Sequence, residues 1–234
     1  MKKTIIIAIV LCLCAVSSIA WMNVVTVGVG VPSGGGCPAG TEDFSSYTEV
    51  DANSKITVDS NCKLSFVDID NDEDVYAYAD KTAGYFSGDF THTFEFMITA
   101  HATSSKIAVY GLSNILNDET AWGTNQTSIV VQDVSGTLRV YLYTPGDSDV
   151  WVGPSQDIQY YVTVTRDDDG GDGSGSVTAV ICTGSYDCGT PADTLSCTNL
   201  TSQDDYQYVY GVASRNDSAG NRNISGYVQN LDLN

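Results

Sequence analysis

The densest run of carboxylates in the chain is Asp68-Ile-Asp-Asn-Asp-Glu-Asp74. Asp68, Asp70, Asp72 and Asp74, with Asn71, place hard oxygens at alternate positions, the pattern by which a loop wraps Ca²⁺. The Gly at the sixth position and the closing Glu of an EF-hand are missing. The expectation is therefore a loop site between strands, completed by Asp80 and Asp89 where their loops fold back, set against a plain solvated turn. A second acidic group, Asp167, Asp168, Asp169 and Asp172, lies among glycines whose backbone freedom would let the chain curl round an ion. A soluble hairpin tip explains it as well.

Aromatic residues offer a different chemistry. The chain has 14 Tyr, and alternation puts Tyr141 with Tyr143, Tyr76 with Tyr78, and Tyr206 with Tyr208 and Tyr210 on shared strand faces. Rings on a wet sheet face stack against sugar rings while hydroxyls bond to nearby polar groups. Trp122 and Trp151 are read as loop residues, where an exposed indole is costly without a ligand. Tyr141, Tyr143, Trp122 and Trp151 are the candidate ligand-binding residues. Tyrosine also fills strands well, with its ring packed and its hydroxyl in water. His92 falls on the apolar face of its strand and reads as a hydrogen-bonded histidine at the core edge. Only one other His exists, His101, and the Cys spacings do not match a zinc site.

The remaining composition narrows the setting. Lys2 and Lys3, the apolar run Thr4 to Val16, and the small residues Ser18 and Ala20 read as an export signal cleaved after Ala20. That implies an extracellular or surface location, with no membrane insertion after cleavage. Residues 21–40 form a Val-rich, then Gly/Pro-rich leader, and 41–234 form the domain. Cys37, Cys62, Cys182, Cys188 and Cys197 are then free to oxidise. The expectation is a Cys37–Cys62 bridge and one pair within the later cluster, leaving one thiol over or shared with a partner chain. Formal net charge is −19, a surface that repels phosphate backbones and so argues against nucleic acid.

Short alternating strands between turn clusters run through the domain, and no stretch has convincing helical period. About a dozen strands are read, among them Phe90–Ala100, Thr137–Thr144, Gln159–Arg166, Ser176–Cys182 and Ile224–Leu233. This predicts an all-β, two-sheet antiparallel sandwich. The last strand, Gly226-Tyr-Val-Gln-Asn-Leu-Asp-Leu233, resembles the closing strand of laminin G-like domains, in which it pairs beside the first strand. Phe94-Glu-Phe-Met-Ile98, Tyr160-Tyr-Val-Thr-Val-Thr-Arg-Asp167 and Val177-Thr-Ala-Val-Ile181 resemble the central strands in order. Asn71-Asp-Glu-Asp-Val-Tyr-Ala-Tyr78 and Gly84-Tyr-Phe-Ser-Gly-Asp-Phe90 resemble extracellular relatives of the concanavalin A-like superfamily. The resemblance covers residues 41–234 and implies a jelly roll, a fold shared by lectins, glucanases, adhesion modules and structural domains; it also implies Ca²⁺ at a sheet edge as a candidate cofactor.

Retaining glucanases of that superfamily place two Glu on one strand in a Glu-x-Asp-x-x-Glu string. Here Glu42, Glu49, Glu73, Glu95 and Glu119 are all far apart, and Glu95 reads as an exposed mid-strand residue. The expectation is therefore not an enzyme but a non-catalytic, carbohydrate-binding recognition module, possessing an extracellular glycan or a surface protein as partner. Two alternatives stand beside it: a self-associating coat, filament or adhesion subunit joined through the leader Val24–Val31, and a glycoside hydrolase with an atypical carboxylate pair.

Overall fold

The computed structural model describes residues 37–123, 125–168, 175–200, 205–217 and 219–234. The export signal, residues 21–36 of the leader with Val24–Val31, and Asp169 and Asp172 of the acidic tip lie outside them.

Fourteen strands form two seven-stranded antiparallel sheets. Sheet I runs in the order β1 (Thr48–Asp51), β4 (Val75–Asp80), β13 (Tyr208–Ser214), β6 (Lys106–Ser113), β7 (Gln126–Val134), β8 (Thr137–Thr144) and β9 (Asp147–Val152). Sheet II runs β12 (Asp193–Leu200), β11 (Gly175–Thr183), β10 (Tyr160–Asp167), β5 (Phe90–His101), β14 (Ala219–Asp232), β3 (Lys63–Asn71) and β2 (Ile56–Ser60). Period-two alternation explains the core between them. Phe94, Phe96 and Ile98 of β5, Val162 and Val164 of β10, and Val177, Ala179 and Ile181 of β11 face Ile107, Val109, Ile129, Val131, Val140 and Leu142 of sheet I, all buried. Each large apolar side chain so enclosed contributes about 1.5–3 kcal/mol. The alternation read from the sequence is the observed one, and His92 lies in this layer, 1% exposed, with Nδ1 2.7 Å from the Tyr110 hydroxyl.

Two strands carry the pattern weakly, β12 burying Leu195 and Cys197 and β9 only half burying Trp151. β9 reads Asp-Ser-Asp-Val-Trp-Val, with little to mark a buried face, and β12 is rich in Thr and Ser. They are the edges of the two sheets on one flank. Asp147 accepts from the Thr198 amide at 3.2 Å and Asp149 from the Ser196 amide at 2.9 Å. Alternate carboxylates of one edge thus satisfy alternate amides of the other, blunting both against further pairing.

β14 is not beside the first strand. It sits inside sheet II between β5 and β3, while Thr41 makes an isolated bridge to Asp232. Gly226 is required there: a Cβ on it would stand 2.2 Å from the Met97 carbonyl. The cysteines pair Cys37–Cys62 and Cys182–Cys188. The remaining Cys197 is buried in the core, and burial pushes its thiol up to about 11. It is no handle for a partner chain.

Two outcomes follow. Gly226→Ala forces β5 and β14 apart and should lower unfolding free energy by about 1–3 kcal/mol, measured by urea denaturation. Burial depresses His92 from 6.5 to about 3, so the folded state holds this ring neutral while the unfolded chain protonates it. Stability from this group is complete above about pH 6.5 and declines as pH falls toward 3. In His92→Gln that part of the pH dependence should disappear from thermal melts.

Candidate functional site

Sheet II has a polar outer face, and its centre is Glu95. The side chain alternates outward with Thr91, Thr93 and Met97, yet the residue is only 6% exposed. This corrects the expectation of an exposed position. Its carboxylate is enclosed by donors from three neighbouring segments. Gln229 Nε2 donates to Oε2 at 2.6 Å, Asn230 Nδ2 to Oε1 at 3.0 Å, and Gln159 Nε2 to Oε2 at 2.5 Å. The Tyr186 hydroxyl donates to Oε1 at 3.4 Å. All four contacts bring a donor to a group whose oxygens accept.

The backbone explains how two consecutive amides reach one acid. Gln229 pairs with Glu95 and Asp232 with Thr93, and the register slips between them. A bulge turns two neighbouring side chains to one face. Asn230 takes φ 54° there, a conformation Asn tolerates better than most residues, and its amide donates to the Cys62 carbonyl. Leu231 then returns to the core and Asp232 to the outer face. Tyr186 arrives by another device, since it lies inside the short loop closed by Cys182–Cys188. Its ring meets Tyr161 edge to face at 5.2 Å.

A second shell extends the network. Gln159 Nε2 also reaches the Tyr161 hydroxyl at 3.0 Å, and the Tyr227 hydroxyl donates to Gln159 Oε1 at 3.0 Å. Burial first and the Glu95 charge second raise the pKa of Tyr161, Tyr186 and Tyr227. All three phenols remain protonated donors at neutral pH. A cavity of 280 Å³ opens over Glu95, lined also by Thr93, Tyr186, Asn230 and Asp232. A cleft of 690 Å³ shares Thr93 and Asp232 with it and runs on past Asp89, Thr165 and Asn234.

The residues expected to bind ligand lie elsewhere. Trp122 is fully buried in a helical turn, Glu119–Trp122, packed onto the outer face of sheet I, with Nε1 donating to the Asn117 carbonyl. It is neither a loop residue nor exposed. Trp151 belongs to β9 and packs against the core, edge to face with Tyr160. Tyr141 and Tyr143 stack on each other at 5.5 Å, half-buried on the outer face of sheet I.

The acidic run is put to structural use. Asp68 and Asp70 belong to β3 rather than to a loop. Asp70 accepts from the amides of Asn71, Asn221 and Arg222, Asp68 from the Ser225 hydroxyl, and Asp74 from Asn216, while Asp72 is exposed. Asp80 accepts from Thr82 and Gln207, and Asp89 from the Asp168 amide. Among the described residues no group of three or more His, Cys, Asp or Glu is disposed to hold a metal ion.

No protein-family model matches the sequence, and no curated protein sequence does. Solved structures do resemble the fold. A family 7 alginate lyase, A1-II′, in complex with product, aligns with TM-score 0.51 and 16% identity over 86% of this chain and 99% of its own. The exoplasmic domain of VIP36 in its Ca²⁺/mannose-bound form aligns at 0.47 and 9% over 85% and 95%, and a GH131 β-glucanase catalytic domain from Podospora anserina at 0.47 and 18% over 75% and 72%. The alginate lyase is an enzyme built on this architecture, and Glu95 is enclosed rather than exposed. The inference from unpaired Glu residues to a protein without catalysis does not stand. What the likeness does show is the fold: the chain is a two-sheet jelly roll of the concanavalin A-like type.

Proposed function

We propose that the outer face of sheet II binds an uncharged polysaccharide and hydrolyses it, with Glu95 and Asp232 as the carboxylate pair. The observation that carries this reading is the enclosure of Glu95 by three amides and a phenol at the floor of an open cleft. Removing a carboxylate from water is costly unless it is hydrogen-bonded on every side, and such groups concentrate at functional sites.

Glu95 and Asp232 are diagonal neighbours across one strand pair. Such positions lie about 7–8 Å apart along the backbone, and both side chains line one cavity; inverting glycosidases hold their two carboxyl groups ~6.5–9.5 Å apart with a water between. In such a step Glu95, held in place by its donors, takes a proton from the water as that water bonds to the anomeric carbon, and Asp232 gives a proton to the leaving oxygen as the glycosidic bond breaks. Threonines 91, 93 and 165 and the tyrosines supply neutral hydroxyls along the cleft.

Charge supports an uncharged chain as substrate. Asp89, Asp167, Asp232 and Glu95 line the two connected spaces. The cation among the described lining residues, Arg166, is 3% exposed and donates to the Phe86 carbonyl and Asp168. A polyuronate would meet repulsion here. The two disulfides suit an oxidising compartment, which accords with export.

The test is reducing-end release from a panel of neutral β- and α-glucans, mannans and xylans, with alginate as the polyanionic control. Wild type should cleave a neutral member, and Glu95→Gln should lose about 10²–10⁴-fold without losing affinity on substrate-loaded gels. Gel retardation with no release from any polymer overturns the hydrolytic part. Cys188→Ala frees the Tyr186 loop and should reduce turnover on the same substrate several-fold; unchanged kinetics would remove Tyr186 from the site.

A further inference from the structure

Sheet I carries a second enclosed polar site, remote in the fold from Glu95. Lys106, the first residue of β6, and Glu119, in the helical turn, are 5% and 4% exposed. Lys106 Nζ donates to Glu119 Oε1 at 3.1 Å and lies 5.0 Å from the centre of the Tyr143 ring. Glu119 Oε2 is buried and accepts no hydrogen bond. Arg215 Nη1 stands 3.7 Å from it, close enough for attraction and too far for a bond. Both side chains line a cavity of 260 Å³, whose rim includes the exposed Thr120. This cavity shares Gly123, Gln126 and Tyr143 with an adjoining one of 330 Å³ that extends past Gly146 to Ser148.

We propose that this cavity is a binding site for a single sugar residue, held through adjacent hydroxyls by Lys106 and Glu119. An ammonium has three donors, and only one is used by Glu119. The neighbouring Oε2 lacks a donor. A pair of vicinal hydroxyls answers both needs, since one accepts from Lys106 while the other donates to Glu119. A simple anion leaves Oε2 facing negative charge, and a simple cation faces Lys106 and Arg215. Tyr143, its ring backed by Tyr141, adds an aromatic wall, as sugar sites commonly have. Burial, ahead of every nearby charge, lowers the pKa of Lys106, so a ligand that hydrogen-bonds the ammonium should raise it.

The site does not depend on the sheet II cleft, and the experiment keeps them separate. Methyl glycosides of glucose, galactose and mannose, with glycine as a zwitterionic control, are titrated into the full chain and followed by saturation-transfer NMR and calorimetry. At least one glycoside should bind wild type and Glu95→Gln equally. Glu119→Gln, which keeps the shape and loses the acceptor charge, should weaken it at least tenfold. Thr120→Trp, which fills the cavity from its exposed rim, should abolish it even where Lys106→Met fails to fold. Binding of glycine instead, binding unaffected by Thr120→Trp, or no binding to wild type each overturns the proposal.

Discussion

The placement of β14 in the middle of sheet II is the constraint on which the rest of the structure depends. Residues from the far end of the chain pair on one side with β3 and on the other with β5. Without that strand, sheet II separates into β12-β11-β10-β5 and β3-β2. The fit is exacting at one point, where Gly226 lets the Met97 carbonyl approach, and tolerant at another, where Asn230 bulges outward. The close contact holds the sheet together and the bulge makes its chemistry. Both belong to one strand whose partners are remote in sequence, so the acid cage forms only when the whole sandwich does.

Acidic residues have a second use besides repulsion. Asp51 bonds the amides of Lys55 and Ile56, Asp133 those of Ser104 and Gly136, and Asp70 those of Asn71, Asn221 and Arg222. The short carboxylate satisfies amides at turns, strand ends and irregular stretches of the ladder, a use that suits Asp better than Glu. Buried Glu is rarer and is used differently. Glu95 and Glu119 are each enclosed on the outer side of a sheet, one by neutral amides and a phenol, the other by a lysine.

The layers of the sandwich were legible because alternation is local. Phe94, Phe96 and Ile98 declare the core face of β5 without reference to any other strand, and His92 follows them inward. The candidate site was not legible, because its members come from β5, β14, the segment before β10 and the Cys182–Cys188 loop. In sequence, Glu95 is one acid between Phe94 and Phe96 on an otherwise Thr-lined face. Only the register that sets Gln229 against it, and the bulge that adds Asn230, distinguish it from a solvated strand residue. The acidic run 68–74 misled for a related reason. Spacing measures how many oxygens are near, while the amides of 221 and 222, more than a hundred residues away, decide what those oxygens bind.

The two outer faces of the sandwich also differ for a physical reason. On sheet I, Tyr76, Tyr210, Ala108 and Val130 form a second apolar cluster that the helical turn covers with Trp122. Gly111 permits this, since a Cβ there would stand 2.6 Å from the indole. Trp122 is therefore the lid of a small core, and the polar groups it traps at its margin, Lys106 and Glu119, are left with a cavity beside them. Over Glu95 on sheet II the described residues place no apolar lid but the Tyr186 loop and polar side chains, with a cavity among them. A tyrosine-rich strand sequence does not reveal which situation applies, because the same rings serve under a lid and beside a cleft. The difference lies in what crosses above the sheet, and here a single turn after β6 makes one face a second small core while the other keeps a polar surface with cavities.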